Sequence, residues 1–390
     1  MPNTLFGFLP GQENPQAITV EDGIITAIEP VSEQGASTHI ATASSHSDHD
    51  DYLTWVPGFV DLHNHGGNKG AFPTGTVEDC ERAANFHLAH GTTTLLASLV
   101  SGTRDELCSQ SELLAGLAER GLIHGIHMEG PFISACRCGA QDPSRITEGD
   151  PEFFADVIEA ARGHLRSITF APETDNATEL MKLCAKHNII ASLGHTDADF
   201  ATTLAMVEYG RQLGATVTAT HLFNAMPQIH HRDPGAAAAL ITAGRAQLAH
   251  VELVADGVHL DDGTVDMVAG LGAFAVTDAV EAAGMPDGMY RLGQLDVIVI
   301  DGVARITDEA GKPAAIAGGT STLAQQFSRF ASRHSLEEAV EFTSTVAADV
   351  AGLGLRRGRI DVGFDADLVG LDRTPTPVRV LRHGEEVATR

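Results

Sequence analysis

The stretch PGFVDLHNHGG, residues 57–67, indicates both the type of fold and the chemistry of a site at the end of a strand. An apolar run ends in two histidines one residue apart, His63 and His65, and two glycines follow. Side chains alternate between the faces of a strand, so both imidazoles point to the same side. Gly66 and Gly67 let the backbone turn without a Cβ beside a ligand. The pattern predicts a buried strand whose end can hold a metal ion, but an H-x-H pair is also common as a structural feature.

Outward from this strand, short apolar runs alternate with helical patterns such as TVEDCERAANFHLAHG, which has Thr76 at an N-cap position and Gly91 at a C-cap position. The candidate strands are VPGFVDLH (56–63), TTTLLASLV (92–100), IHGIHME (123–129), LRSITFAPE (165–173), IIASLGH (189–195), TVTATHLF (216–223), VELVADG (251–257) and AFAVTD (273–278). Eight β–α units in about 220 residues predict a closed (β/α)₈ barrel of the TIM type. An open doubly wound sheet is the alternative, but it would favour fewer strands or a glycine-rich phosphate loop, and the sequence has neither G-x-G-x-x-G nor G-x-x-x-x-G-K-[ST].

Both ends of the chain are typical of β-structure. The segment QAITVEDGIITAIEP (16–30) alternates around Asp22-Gly23, a hairpin signal. GRIDVGFDADLVGLD (358–372) and TPVRVLRHGEEVATR (376–390) also indicate short strands and turns. Neither end alone could bury much apolar surface. We therefore predict one small β-sandwich domain from residues 1–55 and 356–390, flanking a barrel of residues 56–355. The polar stretch TASSHSDHDD (42–51) is expected to be a surface loop.

Composition limits the classes of function. The 390 residues are 43% hydrophobic, enough for a large core. They include 52 acidic and 25 basic residues, a net charge of −27. Such a field repels nucleic acid and anionic membrane, so neither is an expected partner. No apolar run reaches the roughly 18 residues of a membrane span. Five cysteines without a disulfide framework are typical of the cytoplasm.

Imidazole and carboxylate side chains gather where the predicted strands end. In a parallel barrel these carboxyl ends face the active site. Zn²⁺ binds imidazole nitrogen and carboxylate oxygen, and a catalytic zinc site keeps one position open for water. We therefore predict a catalytic site with one or two divalent metal ions, Zn²⁺ being favoured. The residues at the strand ends are His63 and His65, then Glu129, His195, His221, the pair Asp256 and His259, and Asp278.

Several motifs carry a family resemblance that runs through the whole chain. PGFVDLHNHGG resembles the first-strand signature of the amidohydrolase superfamily, and GRIDVGFDADLV resembles its closing strand motif. HMEGPFIS, GHTDAD, THLFNAMP and VTDA together resemble one member family, the N-acetylglucosamine-6-phosphate deacetylases. The glutamate in EGPF is the most specific part, because many other amidohydrolases bridge two metals with a carboxylated lysine, and the fourth strand here ends in Glu173. We expect Glu173 to be a structural carboxylate on the rim.

The resemblance implies a role for each matching residue. Glu129, His195 and His221 match the principal metal ligands, while His63 and His65 match members that hold a second metal. Asp278 matches the catalytic aspartate. The substrate-binding positions so implied are Asn224, Ala225, Arg232, His259, Ala140 and Gln141, with Arg232 on the phosphate. The substrate so implied is an amino-sugar phosphate, and a homodimer is expected because a neighbouring subunit can supply a phosphate contact in such enzymes.

One departure concerns the loop after EGPF. Several members carry a histidine there that polarises the substrate carbonyl, whereas this chain has Gln141. A glutamine amide donates a hydrogen bond but carries no charge, so we expect a second metal to take over that task. In the mechanism so implied, a metal ion lowers the pKa of its bound water. Asp278 accepts a proton as the resulting hydroxide attacks the amide, and later passes it to the leaving amine. The metal, with Gln141, stabilises the oxyanion.

Alternatives remain at this point. The chain could be another amidohydrolase, acting on a cyclic amide or an N-acyl amino acid, or a non-enzymatic barrel scaffold. Individual residues also have structural interpretations. Asp278 could cap a following helix, Arg232 could pair with Asp233, and His259 could lie on the surface. His127, two residues before Glu129, is expected to be a core residue or to support the ligands.

Overall fold

The structure is a computed structural model, and it describes residues 3–31, 53–308 and 310–388. The polar stretch 42–51, expected to be a surface loop, lies outside these residues. Each helix that the structure describes is too short or too polar to cross a lipid bilayer.

The described elements follow the predicted alternation through the middle of the chain. The strands are β1 (Asn3–Phe8), β2 (Gln16–Glu21), β3 (Ile24–Pro30), β4 (Leu53–Pro57), β5 (Phe59–Asn64), β6 (Gly66–Gly67), β7 (Gly70–Ala71), β8 (Thr92–Leu99), β9 (Gly125–Glu129), β10 (Leu165–Phe170), β11 (Ile190–Leu193), β12 (Val217–Ala219), β13 (His250–Leu253), β14 (Ala273–Ala275), β15 (Gly288–Leu292), β16 (Leu295–Ile300), β17 (Val303–Thr307), β18 (Pro313–Gly318), β19 (Leu368–Leu371), β20 (Pro377–Arg382) and β21 (Glu385–Val387). The α-helices are α1 (Val77–Ala89), α2 (Arg104–Glu119), α3 (Pro151–Ala160), α4 (Ala177–His187), α5 (Phe200–Gln212), α6 (Gly235–Arg245), α7 (Asp262–Val268), α8 (Leu323–Ala331), α9 (Leu336–Val340) and α10 (Val346–Val350). Short 3₁₀ turns cover Ala135–Arg137 and Pro143–Arg145, and a π-helical turn covers Glu341–Thr345.

Eight parallel strands form the predicted barrel, in the order β5-β8-β9-β10-β11-β12-β13-β14. The first strand and the segment after the last are joined by two backbone hydrogen bonds. Asp278 N–H donates to His63 O at 2.9 Å, and His65 N–H donates to Ala279 O at 2.7 Å. Every residue of β8 is buried, as expected for a strand enclosed by a filled interior and an outer helix layer. The (β/α)₈ prediction is confirmed, and the open-sheet alternative is wrong.

Helix α1 shows how local sequence sets the helix layer. Thr76 caps its first turn and forms a capping box with Asp79. The helix ends at the C-cap His90, and Gly91 follows with φ 95°, where a side chain would be strained. The predicted N-cap is therefore correct, whereas the C-cap is His90, one residue before the predicted Gly91.

Both termini build one seven-stranded sheet, in the order β21-β20-β19-β4-β1-β2-β3. The C-terminal strand β19 pairs antiparallel with β4, with Val369 opposite Val56. Trp55 is fully buried in the cluster beneath this sheet, together with Ile18 and Leu368. The prediction that the two ends form one small β-domain is confirmed.

A second, four-stranded antiparallel sheet, β15–β18, follows the last barrel strand. These residues fall inside the predicted barrel segment, where no strands of this kind were expected. Its inner face buries Leu292, Val297 and Ala317. The sheet continues directly from the eighth strand end, because Gly319 N–H donates to Asp278 O at 2.7 Å. It therefore lies beside the mouth of the barrel, where the predicted ligands gather.

Candidate active site

Five predicted ligands converge at the carboxyl end of the barrel, around the carboxylate of Glu129. Its Oε1 lies 3.1 Å from His195 Nε2 and 2.9 Å from His221 Nε2. The same oxygen lies 3.5 Å from His63 Nε2, while Oε2 lies 3.3 Å from His65 Nε2. All five side chains are buried. Glu129 is thus shared by two groups of three ligands, one with His63 and His65 and one with His195 and His221.

The spacing of these atoms fits a divalent ion of the zinc type. Ligand atoms about 2.0–2.1 Å from a tetrahedral ion lie about 3.3–3.4 Å from one another. The Nε2 atoms of His63 and His65 are 3.1 Å apart, as are those of His195 and His221. Burial opposes ionisation of Glu129, but the charge of His63 and hydrogen bonds from His195 and His221 hold its pKa well below the usual range. An anionic carboxylate between two imidazole pairs is a donor set that suits one or two such ions.

Groups behind the histidines fix two of the rings. His195 Nδ1 lies 2.9 Å from Arg137 O, so it carries the proton and leaves Nε2 as the ligand atom. His63 Nδ1 lies 3.3 Å from Glu252 Oε2, so this ring also carries its proton on Nδ1 and leaves Nε2 as the ligand atom. In the described residues the Nδ1 atoms of His65 and His221 are buried without a hydrogen-bond partner. The first two rings are therefore positioned by hydrogen bonds, and the other two by packing.

Asp278 faces the ligand cluster from the end of the eighth strand. Its Oδ1 lies 3.4 Å from His65 Nε2 and 3.6 Å from His63 Nε2. Although burial opposes ionisation, the hydrogen bond from His65 and the charge of His63 lower the pKa of Asp278 to about 2. The next described element is the strand β15, so the alternative of a helix cap is wrong. An ionised carboxylate at this position can accept a proton.

His259 is a buried partner of Asp278 and not a surface residue. Its side chain is only 4% exposed, and its Nδ1 lies 2.8 Å from Asp256 Oδ2. Its Nε2 lies 3.8 Å from Asp278 Oδ2, whereas His63 and His65 lie near Oδ1. Burial lowers the pKa of His259, but the hydrogen bond and charge of Asp256 outweigh it, so that the pKa lies above its usual value. His259 can therefore donate a hydrogen bond into the cavity.

Two predicted metal ligands and the predicted catalytic aspartate have backbone conformations that are rare for residues with a side chain. His195, His221 and Asp278 have φ angles of 47°, 25° and 50°. Each follows the end of a barrel strand, and the left-handed turn directs its side chain over the mouth. Such conformations cost about 1–3 kcal/mol each and concentrate at functional sites.

A buried hydrogen-bond network, which was not predicted from the sequence, supports the first and last strands. Asp61 Oδ2 accepts from Thr277 Oγ1 at 2.6 Å and from Asn64 Nδ2 at 3.0 Å. Asn64 Oδ1 accepts from Gly66 N–H at 3.0 Å, and His87 Nε2 lies 2.9 Å from Gly66 O. The polar residues Asp61 and Asn64 inside an otherwise apolar strand were the signal that could have revealed it.

His127 supports the ligands without joining them, as expected. Its Nδ1 and Nε2 lie 2.9 Å from Ser98 Oγ and Thr169 Oγ1. Its ring packs edge-on against His63, with centroids 4.4 Å apart. Burial holds the pKa of His127 well below its usual value, so the ring is neutral.

A cavity of about 230 Å³ opens above the ligands. Five of the six predicted substrate-binding residues line it: Ala140, Gln141, Asn224, Ala225 and His259. The small sheet closes one side with Leu292 and Ala315–Gly318. Gln141 donates from Nε2 to Glu129 Oε2 at 2.5 Å and accepts from Ser101 N–H at 2.7 Å. Its amide therefore directs a donor toward the ligand cluster.

Arg232 lies apart from this cavity. It is exposed, and its Nη1 lies 2.8 Å from His231 Nε2, whereas the predicted alternative was an ion pair with Asp233. Glu173 has the structural role that was expected, since it accepts from Thr196 Oγ1 at 2.5 Å and from Asp197 N–H at 2.7 Å. The structure thus brings together every predicted site residue except Arg232.

The eight-stranded barrel and its buried histidine–carboxylate cluster define the class, a (β/α)₈ barrel with a divalent metal site. The model of the "Amidohydrolase family" matches residues 54–387. N-acetylglucosamine-6-phosphate deacetylase of Lysinibacillus sphaericus is 30% identical over 333 residues, which cover 81% of each chain. The Bos taurus deacetylase is 33% identical over 343 residues, 81% of this chain and 79% of its own. The chain therefore belongs to the amidohydrolase family, within the group of N-acetylglucosamine-6-phosphate deacetylases.

A solved structure agrees over the full length. It is a variant of the Mycobacterium smegmatis N-acetyl-D-glucosamine-6-phosphate deacetylase in complex with N-acetyl-D-glucosamine 6-phosphate. It superposes with a TM-score of 0.86 at 35% identity, covering 99% of this chain and 100% of its own. The similarity includes both the barrel and the terminal sheet, so the family resemblance inferred from the motifs is confirmed.

Proposed function

We propose that this chain hydrolyses N-acetylglucosamine 6-phosphate to glucosamine 6-phosphate and acetate. The observation that carries the proposal is the position of Asp278, whose carboxylate lies 3.4 Å from His65 at the edge of the Glu129-centred cluster, inside the cavity. A proton acceptor beside a divalent metal site is what amide hydrolysis by water requires. A non-enzymatic scaffold would be expected to have lost these residues, and they are all present.

The metal is proposed to be Zn²⁺, held by Glu129, His195 and His221, with a second ion at His63 and His65. Imidazole and carboxylate ligands in a buried site suit that ion. When bound, a divalent ion supplies Lewis acidity, polarising a carbonyl oxygen and lowering the pKa of water. The chain's own part is to keep the five ligand atoms converged and to exclude bulk water from them.

Asp278 performs the proton transfers in the proposed reaction. It takes one proton from the attacking water as the oxygen bonds to the acetyl carbon. It then gives that proton to the amine nitrogen as the carbon–nitrogen bond breaks, so that acetate and the free amine leave. His259, held by Asp256 at 2.8 Å, orients the Asp278 carboxylate or a substrate hydroxyl. The Gln141 amide donates to the developing oxyanion.

Substrate phosphate is proposed to bind Arg232 together with the Asn224 side chain and the backbone at Ala225. A chain of net charge −27 repels a sugar phosphate at long range, so selection must come from short contacts. The planar guanidinium of arginine matches phosphate oxygens. Because Arg232 is exposed, we propose that a homodimer completes this contact. We further propose a cytoplasmic enzyme with the domain limits 1–55, 56–355 and 356–390.

A substrate panel tests the function. Acetate release from N-acetylglucosamine 6-phosphate is compared with release from unphosphorylated N-acetylglucosamine and an N-acetyl amino acid, and ring opening of a cyclic amide is measured beside them. The expected result is a kcat/KM at least 10²-fold higher for the sugar phosphate, since charged hydrogen bonds are worth roughly 1.5–3 kcal/mol each. Preferred turnover of the cyclic amide or the amino acid would establish the alternative amidohydrolase function. Absence of turnover in metal-loaded protein would refute both.

A further inference from the structure

A second cavity, of about 290 Å³, lies beside the catalytic cavity. The two share the lining residues Ala140 and Leu292. The three other cavities described in the structure share no lining residue with the catalytic one. Of the cavities described, the second is therefore the one that adjoins the space above the proposed metal ligands.

Its place on the barrel is opposite the proposed sugar-phosphate side. Its walls come from segments after β5, β8 and β9, including Thr74, Ser101, Ser109 and Arg145. Asn224 and Ala225 follow β12, and His259 follows β13. In an eight-stranded barrel the second and third strands, β8 and β9, lie across the axis from the sixth and seventh, β12 and β13. The metal ligands lie between the two sides.

The geometry of a secondary amide substrate relates the sugar-phosphate side of the barrel mouth to the side that holds the second cavity. Such an amide is planar and trans, so its amine and acyl substituents extend in opposite directions. If the sugar on the nitrogen lies toward Asn224 and His259, the acyl group extends from the reacting carbon toward Ala140 and Leu292. This step rests on the proposed function. An acetyl group ends near that boundary, and a longer acyl chain continues into the second cavity.

The walls indicate which chains fit. The boundary that the two cavities share is apolar, because Ala140 packs against the cluster that contains Leu292. The lining also includes Thr74, Ser109 and Gln294, which can hydrogen-bond an uncharged group.

Ser101, which is only 5% exposed, lines the cavity, and its Oγ has no partner in the described residues. That oxygen is itself buried and packs against Gly130, so the hydroxyls open to a ligand are those of Thr74 and Ser109. Arg145 is already paired with Glu106 at 3.1 Å, and Asp142 adds a further negative charge. The charged wall is therefore net negative and disfavours a carboxylate.

We propose that the second cavity is an acyl subsite, and that the enzyme accepts N-acyl glucosamine 6-phosphates whose acyl groups are longer than acetyl and end in an uncharged polar or apolar group. The volume is sufficient, since a cavity of about 150 Å³ holds a benzene ring. The reaction is unchanged: water adds to the acyl carbon, the carbon–nitrogen bond breaks, and the longer carboxylate leaves.

An acyl series on the metal-loaded enzyme tests the subsite. The substrates are N-acetyl-, N-butyryl-, N-(4-hydroxybutyryl)- and N-succinyl-glucosamine 6-phosphate, the last two matched in length. The butyryl and hydroxybutyryl substrates should have kcat/KM within about tenfold of the acetyl substrate, and the succinyl substrate at least tenfold below the hydroxybutyryl one. A butyryl value more than about 10³-fold below acetyl would overturn the subsite while leaving the deacetylase function intact. Lack of turnover of all four, the acetyl substrate included, would overturn the proposed function and the subsite with it.

Two filling variants and a matched control locate the effect. Ser109→Phe and Thr74→Phe each place a ring in the cavity from a different wall. Glu112→Phe lies on the same helix as Ser109 and outside the cavity. Each filling variant should lower the ratio of butyryl to acetyl kcat/KM at least tenfold, and the control should keep it. An unchanged ratio in a folded filling variant, verified by circular dichroism, would overturn the proposal.

Discussion

Thr277→Val tests whether the buried network behind the site stabilises the fold and positions the catalytic carboxylate. The Thr277 hydroxyl donates to Asp61 Oδ2 at 2.6 Å and accepts from Asn64 Nδ2 at 2.9 Å and Ala279 N–H at 3.2 Å. Valine keeps the shape of threonine and removes this oxygen. The carboxylate of Asp61 then loses one of its donors, and two N–H groups lose an acceptor.

The magnitude follows from those contacts. A hydrogen bond to a charged group contributes about 1.5–3 kcal/mol, and a stranded buried polar group costs about 1–3 kcal/mol. Asn64 Nδ2 retains Asp61 at 3.0 Å, so the loss is essentially one charged bond and one stranded backbone donor. We expect the free energy of unfolding to fall by about 3 kcal/mol in Thr277→Val. Thr277→Ser keeps the hydroxyl and loses one buried methyl group, which costs about 1 kcal/mol.

Both variants are compared with wild type by urea unfolding followed by circular dichroism, and by initial rates of acetate release. Turnover should fall in Thr277→Val and recover in Thr277→Ser, because Thr277 precedes Asp278 directly. If Thr277→Val unfolds within about 0.5 kcal/mol of wild type, or if both variants are equally destabilised, the network does not stabilise the fold. Unchanged turnover in a destabilised Thr277→Val would show that Asp278 is positioned without it.

Four further outcomes are expected. Asp278→Asn should retain metal and lose about 10²–10⁴ in kcat/KM, because an amide cannot accept the proton; activity within threefold of wild type contradicts this role. The double variant of His63→Ala and His65→Ala should lose one of two ions by elemental analysis, and a wild-type count of one ion at full activity removes the second site. Arg232→Ala should lower kcat/KM about 10²-fold for the phosphorylated sugar alone, whereas equal losses on both sugars indicate a structural role. Burial lowers the pKa of His87 to about 4, so the unfolded chain binds the proton first. Stability is complete above about pH 6.5 and falls by up to roughly 3 kcal/mol toward pH 4, a slope that His87→Gln should reduce in urea unfolding at each pH.

The convergence of the ligands could be predicted from the sequence because two simple rules apply to it. Alternation along a strand puts His63 and His65 on one side, and a parallel barrel brings all strand ends to one mouth. Glu129, His195 and His221 then have to meet, as the structure shows. These inferences depend on strand direction and not on the conformation of any loop.

Features that depend on loop and insertion geometry could not be predicted in the same way. The small sheet β15–β18 falls within the barrel segment and was not expected, although DVIVIDGVARIT (296–307) alternates around Asp301-Gly302, a hairpin signal. Arg232 lies in a loop whose course no periodicity fixes, so its distance from the cavity was not predictable. Asp61 also bonds to Thr277, which is 216 residues away in the sequence, and no local pattern predicts such a pair.

Backbone conformation at the strand ends determines the direction in which the site side chains point. A strand that simply ended would leave its last side chain along the wall of the barrel, but His195, His221 and Asp278 turn into the left-handed region instead. Hydrogen bonds from the barrel hold these turns, because Leu222 N–H donates to Glu252 O at 2.9 Å and Asp278 N–H to His63 O at 2.9 Å. The barrel thus supports conformations that the isolated segments would avoid. The residues proposed to bind metal and to transfer protons can be identified in the sequence, whereas the closed sheet beneath them sets the angle at which they meet.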